Sequence, residues 1–289
     1  MLPVPEQLNV LITGCSSGFG ELAALTFADR GHRVFATMRT PGKSPALNAR
    51  PDITQLPLDV TDEASVTAAV DAVLAAAGRL HVVVNNAGVE LFGAVHLVSD
   101  AELLRLFDTN VFGVVRVLRA VVPPMVAAGG GTIVNVGSVA GIVGPPYSGL
   151  YAASKHAVEG LSEALHFELS QQGIRVRVIE PGQFTTALGA NAVYAAAMTP
   201  DRPEYARFQR YREAQRSLKP AEAAGDAAAE GVGTGPQLVA EAIYRAATEQ
   251  PGRLRHLVGA DAELIGGTKS TMPFEDFDRV MRLALNWDE

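Results

Sequence analysis

Tyr151 and Lys155 stand four residues apart in Tyr151-Ala152-Ala153-Ser154-Lys155, with Ser138 upstream of them. On a helix, positions i and i+4 share a face, so a phenol and an ammonium would lie side by side. A neighbouring cation stabilises phenolate and lowers the phenol pKa from its ordinary value near about 10. The pair therefore predicts a proton donor and acceptor for a carbonyl or an alcohol. A second chemistry-bearing run lies near the N-terminus, Thr13-Gly14-Cys15-Ser16-Ser17-Gly18-Phe19-Gly20. Glycines at this spacing let the chain turn sharply and let backbone approach a pyrophosphate, whose charge a helix N-terminus favours. Taken alone, the run reads equally well as a plain strand-to-helix turn.

These residues need elements to position them, and the chain alternates short β-branched runs with longer Ala- and Leu-rich segments. Strands are expected at 9–13, 33–37, 53–58, 80–84, 132–136 and 174–180, with a short one near 256–258. Helices are expected from the glycine run to about Arg30, over 62–77 with Thr61 as N-cap, and over 100–127. Further helices are expected over 151–172, 236–248 and 274–285. Pro123-Pro124 should bend the 100–127 helix or end it early. Nearly continuous apolar strands separated by helices predict an α/β fold with a doubly wound parallel sheet covered on both faces. In such sheets ligands bind at the carboxyl ends of the strands, where every motif above falls. The whole of 1–289 reads as one domain. Residues 186–235 carry scattered aromatics and then an Ala/Gly-rich tract, and read as a mobile insertion over the site.

Composition removes several function classes. The chain has 289 residues, 24 basic and 31 acidic, for a net charge of -7, with no basic run. That excludes a phosphate-gripping nucleic-acid surface. A single cysteine, Cys15, excludes an intramolecular disulfide and fits a reducing compartment. Within the glycine run Cys15 reads as a small turn filler, not a reactive thiol. The six histidines lack metal-ligand spacing, so no metal is expected. The N-terminus lacks a signal-peptide pattern, and no run is read as long enough to span a bilayer. A cytoplasmic location follows as the expectation.

The motifs together resemble the short-chain dehydrogenase/reductase family over roughly Val10 to Thr186. The resemblance rests on Thr13-Gly14-x-x-x-Gly18-x-Gly20, Asp59-Val60, Asn85-Asn86-Ala87-Gly88, Asn110, Ser138, Tyr151-x-x-x-Lys155 and Pro181-Gly182-x-x-x-Thr186. Within the family, Val34–Arg39 and Tyr151–Gly160 look most like the hydroxysteroid and retinol dehydrogenase-like members. The resemblance implies a Rossmann-type fold and hydride transfer between a nicotinamide and a carbonyl or alcohol. Tyr151 would be the general acid/base, and Lys155 would depress its pKa and hydrogen-bond the nicotinamide ribose. Ser138 would donate to the same substrate oxygen, and Asn110 would anchor a water in a proton relay. Gly14, Ser16, Ser17, Gly18, Phe19 and Gly20 would cradle the cofactor. Asn86, Ala87 and Gly88 would pack against the adenosine ribose, with Asp59 and Val60 at the adenine. Pro181, Gly182, Phe184 and Thr186 would lie along the nicotinamide and pyrophosphate. Simpler readings stand beside these: Asp59 as a helix cap, Ser138 as a turn residue, Asn110 as a solvent-facing side chain.

The second strand ends Ala36-Thr37-Met38-Arg39, without the carboxylate that binds both ribose hydroxyls of NAD. Arg39 would instead face a 2′-phosphate, whereas the family's second basic position is Ser17 here. NADP(H) is expected over NAD(H). The substrate should be an apolar ketone, aldehyde or secondary alcohol, near Val143, Pro145 and Leu150 and lid residues Leu188, Val193, Tyr194, Met198, Phe208 and Tyr211. Those aromatics could equally form the lid's own core. By the same resemblance, helices around 100–127 and 151–172 would build a homodimer or homotetramer. Two rival functions remain: a dinucleotide-sensing regulator, which typically lacks the Tyr or Lys, and a nucleotide-sugar epimerase or dehydratase, which is usually longer.

Overall fold

The computed structural model describes residues 7–184, 192–218, 235–249, 252–285 and 287. Four strands open the fold: β1 (Asn9–Ile12), β2 (Arg33–Met38), β3 (Ile53–Pro57) and β4 (Val82–Asn85). A two-residue β5 (Leu91–Phe92) is followed by β6 (Gly131–Val136), β7 (Ile174–Pro181), β8 (Val193–Tyr194) and β9 (Arg255–Val258). Seven of these form one sheet in the order β3-β2-β1-β4-β6-β7-β9, and every pairing in it is parallel. The helices before the lid are α1 (Gly18–Asp29), α2 (Pro45–Asn48), α3 (Glu63–Ala77), α4 (Asp100–Phe107), α5 (Gly113–Ala127) and α6 (Gly149–Ser170). After them come α7 (Pro203–Leu218), α8 (Gln237–Thr248), α9 (Ala260–Thr271) and α10 (Phe274–Ala284).

Alternation within the strands divides the core into two layers. Val10, Ile12, Val34, Ala36, Val82 and Val84 point to one face and pack with Phe27 of α1 and Ile243 of α8. Leu11, Phe35, Val83 and Ile133 point to the other and pack with Val70 of α3, Val117 of α5 and Leu165 of α6. The chain runs outward in opposite directions from β1 and from β4, so the carboxyl ends of these neighbours form the crevice expected of a doubly wound sheet.

Several boundaries differ from the sequence expectation. Asp62, not Thr61, caps α3: its Oδ1 accepts the N–H groups of Ala64 at 2.9 Å and Ser65 at 3.3 Å. A carboxylate reaches two orphan amides at a helix start. Thr61 instead spends its amide and hydroxyl on Asp59 Oδ1. Pro123 and Pro124 do not end α5, which runs on to Ala127. Val121 and Met125, both fully buried, anchor that turn from its inner side. Between α4 and α5 the helix widens into a π turn over Asp108–Phe112.

The stretch Asp100–Ala127 is, by length and mean hydropathy, apolar enough to cross a membrane, contrary to the sequence reading. In the fold its apolar face packs on the sheet and on α3. The region after β7 holds more order than an irregular insertion. β8 pairs with β5, and α7 carries Phe208 and Tyr211 into a small core with Phe92, Ala195, Met198 and Leu285. Phe208 and Tyr211 are therefore lid core, whereas Val193 and Tyr194 are exposed. The polar α7 sequence, with only Tyr205, Phe208 and Tyr211 at i, i+3 spacing, hid the helix.

Candidate active site

The glycine run and the Asn86 segment are knitted together at the carboxyl ends of β1 and β4. Thr13 Oγ1 accepts the N–H groups of Asn86 and Ala87, each at 3.0 Å. Asn86 Nδ2 donates back to the carbonyls of Thr13 at 2.9 Å and Gly14 at 3.1 Å. This junction leaves no room for side chains: a Cβ on Gly14 would lie 2.8 Å from Ala87 Cα, and one on Gly20 2.4 Å from Asn86 Nδ2. Gly14 (φ 73°) and Gly18 (φ 65°) also adopt left-handed backbone, which favours glycine. Ser17 precedes α1 and makes no side-chain capping bond, so amides at that N-terminus have no cap from it. Cys15 is fully buried, its Sγ donating to Ile12 O at 3.2 Å, and burial pushes its thiol up to about 12. It is an inert turn filler, as expected.

Arg39 follows β2, exposed and without a hydrogen bond or ion pair among the described residues. Burial pushes the Asp59 carboxyl up, but bonds from Thr61 and the charges of Arg39 and Arg116 hold it below its ordinary range. Asp59 thus serves as a local turn acceptor. Val60 is buried, and its carbonyl accepts from Arg116 Nη1 at 3.2 Å. At the end of β7, the Gly182 N–H donates to Val258 O at 2.9 Å and the Gln183 N–H to Asp261 Oδ2 at 2.6 Å. A Cβ on Gly182 would collide with that carboxylate. Asp261 thereby pins Pro181-Gly182, and sequence reasoning missed it because α9 begins beyond the motif. Phe184 packs edge-on against Phe19, ring centroids 5.9 Å apart. Thr186 and Leu188 lie outside the described residues.

Ser138, Tyr151, Lys155 and Asn110 meet beside this crevice. Ser138 follows β6 in extended backbone and accepts the Ala140 N–H at 3.1 Å. It also makes the Tyr151 phenol, on the first turn of α6, more acidic. One turn on, Lys155 Nζ donates to Val136 O at 2.8 Å and lies 5.8 Å from the Tyr151 ring centre. Asn110 is buried in the π turn, not solvent-facing. Its Oδ1 accepts the Val89 N–H and its Nδ2 donates to the Val89 carbonyl, both at 2.9 Å, and to Ser154 Oγ at 3.1 Å. A π turn is a recurrent feature of functional sites, and here it turns an amide into a clamp on Val89. Gly88 passes between these groups, a Cβ there lying 3.4 Å from Asn110 Oδ1 and 3.9 Å from Lys155 Nζ.

The electrostatics modify the sequence expectation. Burial pushes the Tyr151 phenol well up, the negative charge of Glu90 adds to this, and Ser138 pulls it down. Burial lowers the Lys155 ammonium to about 8 against the opposing charges of Glu159 and Glu90. Glu90, just before β5, is thus a third ionisable group at the site. No motif marks it, because only the fold brings this position beside residue 151.

A profile of the short chain dehydrogenase family matches residues 8–196. The chain is 41% identical over 182 residues to 3-ketodihydrosphingosine reductase of Bacteroides thetaiotaomicron, covering 63% of this chain and 66% of that enzyme. It is 40% identical over 187 residues to human retinol dehydrogenase 8, covering 62% of this chain and 59% of that enzyme. It thus spans less than two thirds of each of these two relatives. A crystal structure of a short chain dehydrogenase/reductase from Burkholderia phymatum in complex with NAD superposes with a TM-score of 0.75 at 28% identity, covering 94% of this chain and 95% of that one.

Proposed function

The chain belongs to the short-chain dehydrogenase/reductase family, and from that premise we propose that it is an NADP(H)-dependent oxidoreductase reducing the carbonyl of a hydrophobic substrate to an alcohol. The observation that carries this reading is the meeting of Ser138, Tyr151, Lys155 and Asn110 beside the crevice between β1 and β4. The crevice fits a dinucleotide: Gly14 and Gly20 bring backbone against Asn86 and Ala87, and α1 points its N-terminus there. When bound, the nicotinamide supplies the hydride. Tyr151 holds its proton at working pH, which suits an acid that protonates the substrate oxygen as charge develops on it. Ser138 donates to the same oxygen. Lys155, held by Val136, stands where it can reach the nicotinamide ribose, and Asn110 fixes the Val89 backbone beside it.

Support for NADP(H) comes from Arg39, whose guanidinium is exposed and has no hydrogen bond or ion pair among the described residues, at the end of β2, where a 2′-phosphate would need a cation. The Burkholderia relative was solved with NAD, so the choice rests on this residue. Support for an apolar substrate comes from Val89 and Leu150, which are half-buried against the cluster that holds Tyr151. The names of the two curated relatives, a ketosphingoid reductase and a retinol dehydrogenase, fit long apolar substrates. Leu104, Phe112 and Phe167 are exposed on α4, the π turn and α6, which favours a homodimer or homotetramer across those helices. Absorbance loss from NADPH with a panel of long-chain ketones, aldehydes and small sugars tests the reading. Turnover confined to polar sugars would refute the substrate class, and no turnover with any carbonyl would favour the regulator.

A further inference from the structure

Behind Lys155, away from the cofactor crevice, two carboxyl groups are buried against each other. Glu159 lies one turn along α6 from Lys155 and is 7% exposed, while Glu180, near the end of β7, is 1% exposed. Glu159 Oε2 accepts from Arg255 Nε at 3.1 Å. Glu159 Oε1 and both oxygens of Glu180 meet no hydrogen-bond donor. Both carboxyls sit at the seam of α6 with the end of β7: a Cβ built on Gly137 would touch Glu159 Oε1 and, at 3.2 Å, the carbonyl of Ile179, the residue before Glu180. The surrounding backbone is shaped to admit them: a Cβ on Gly137 would lie 2.9 Å from Glu159 Oε1, and one on Gly141 3.0 Å from Glu159 Cγ.

Two ionised carboxylates do not share such a site; one must carry a proton, which then bridges the pair. The ionisable groups nearby lie on three elements. Lys155, His156 and Glu163 lie on α6, Arg177 on β7, and Arg255 and His256 on β9. Arg255 is paired with both Glu159 and Glu163, and burial lowers the His256 imidazole below its ordinary value. Arg177 packs under Gly252 and donates to Val176 O. Arg255 is thus shared between Glu159 and Glu163, and no side chain among the described residues gives Glu180 a hydrogen bond.

We propose that Glu159 and Glu180 form a carboxyl–carboxylate pair sharing one proton, with the charge resident on Glu159, and that this pair is a positioning element for Lys155. Glu180 contributes the O–H that fills the vacant Glu159 oxygen. Glu159 then presents a fixed negative charge one helical turn from Lys155, which keeps the ammonium protonated and directed at Val136 O despite its burial. The assignment to Lys155 rests on the oxidoreductase reading; the shared proton does not.

The experiment is a carbon-detected NMR titration of wild-type protein labelled at the glutamate carboxyl carbons, with pH–rate profiles of Glu159→Gln and Glu180→Gln alongside. We expect one carboxyl carbon of the folded protein to titrate near or above pH 7 and to vanish from the spectrum of Glu180→Gln. In Glu180→Gln the amide N–H replaces the shared proton, and the profile's lysine limb stays at its wild-type pH. In Glu159→Gln the limb moves about one pH unit lower. A wild-type spectrum in which every carboxyl titrates below pH 6 overturns the shared proton. A limb unmoved in Glu159→Gln overturns the role toward Lys155. If wild type reduces no carbonyl, the oxidoreductase reading fails while the titration still decides the pair.

Discussion

Replacing Gly20 with alanine tests the junction on which the crevice is built. The new methyl would stand 2.4 Å from Asn86 Nδ2 and 2.6 Å from the Gly14 carbonyl oxygen. Neither can yield freely, because Asn86 is tied to Thr13 and Gly14 and the Gly14 oxygen is backbone. Overpacking of this kind destabilises by about 1–3 kcal/mol. Displacing Asn86 Nδ2 from its two carbonyls adds roughly 1–3 kcal/mol for polar groups left unmet. Alanine in α1 returns about 1 kcal/mol of helix propensity. The net expectation is a loss near about 3 kcal/mol. Gly160 is the internal control: it lies mid-α6 with nothing within 4 Å of its built Cβ. Gly160→Ala should gain about 0.5–1 kcal/mol. Urea unfolding of both variants measures the stabilities, and fluorescence titration with NADPH measures affinity, expected to fall at least tenfold in Gly20→Ala only. A Gly20→Ala protein as stable as wild type would refute the steric argument.

Three further outcomes follow from the site. Arg39→Ala should reduce kcat/KM with NADPH tenfold or more while leaving that with NADH within about twofold, since a lost phosphate contact is worth about 1.5–3 kcal/mol; steady-state kinetics with both cofactors measures the ratio. Asn110→Leu should destabilise by about 2–4 kcal/mol in chemical unfolding, because the Val89 N–H and carbonyl and Ser154 lose a buried partner together. Glu90→Gln should move the pH dependence of kcat toward lower pH. The sign is the same for both titrating groups: the Glu90 charge pushes Tyr151 up and holds Lys155 up, so its removal lowers each. A limb that stays put or moves upward contradicts the placement of Glu90.

The sheet was legible because its strands are buried on both faces. Runs such as Val82–Val84 read as continuous apolar segments, and the glycine turn fixed where β1 hands over to α1. The Tyr151–Lys155 pair was legible through spacing, since i, i+4 on a helix makes them neighbours in any context, whereas Ser138 and Asn110 were marked only by the family resemblance. What lay beyond reach were contacts between residues distant in the chain. Asp261 pins Gly182 from α9, and α9 itself was hidden by Gly266 and Gly267. Glu180 meets Glu159 only because β7 lies beside α6. The acidity of Tyr151 was also misjudged from sequence, for spacing reveals the neighbouring cation but not the burial that opposes it. Asn110 showed the reverse: a poor helix former in mid-helix was explained by the π turn that buries it.

The central claim is that the Tyr151 hydroxyl delivers the proton while hydride passes to the substrate carbon. Stopped-flow single-turnover oxidation of NADPH by a reducible long-chain ketone, in wild type and Tyr151→Phe at equal cofactor occupancy, measures that step. The account predicts a fall of at least about a hundredfold in the phenylalanine variant, within the range general acid catalysis supplies, with NADPH affinity little changed. Equal single-turnover rates in the two proteins would contradict it.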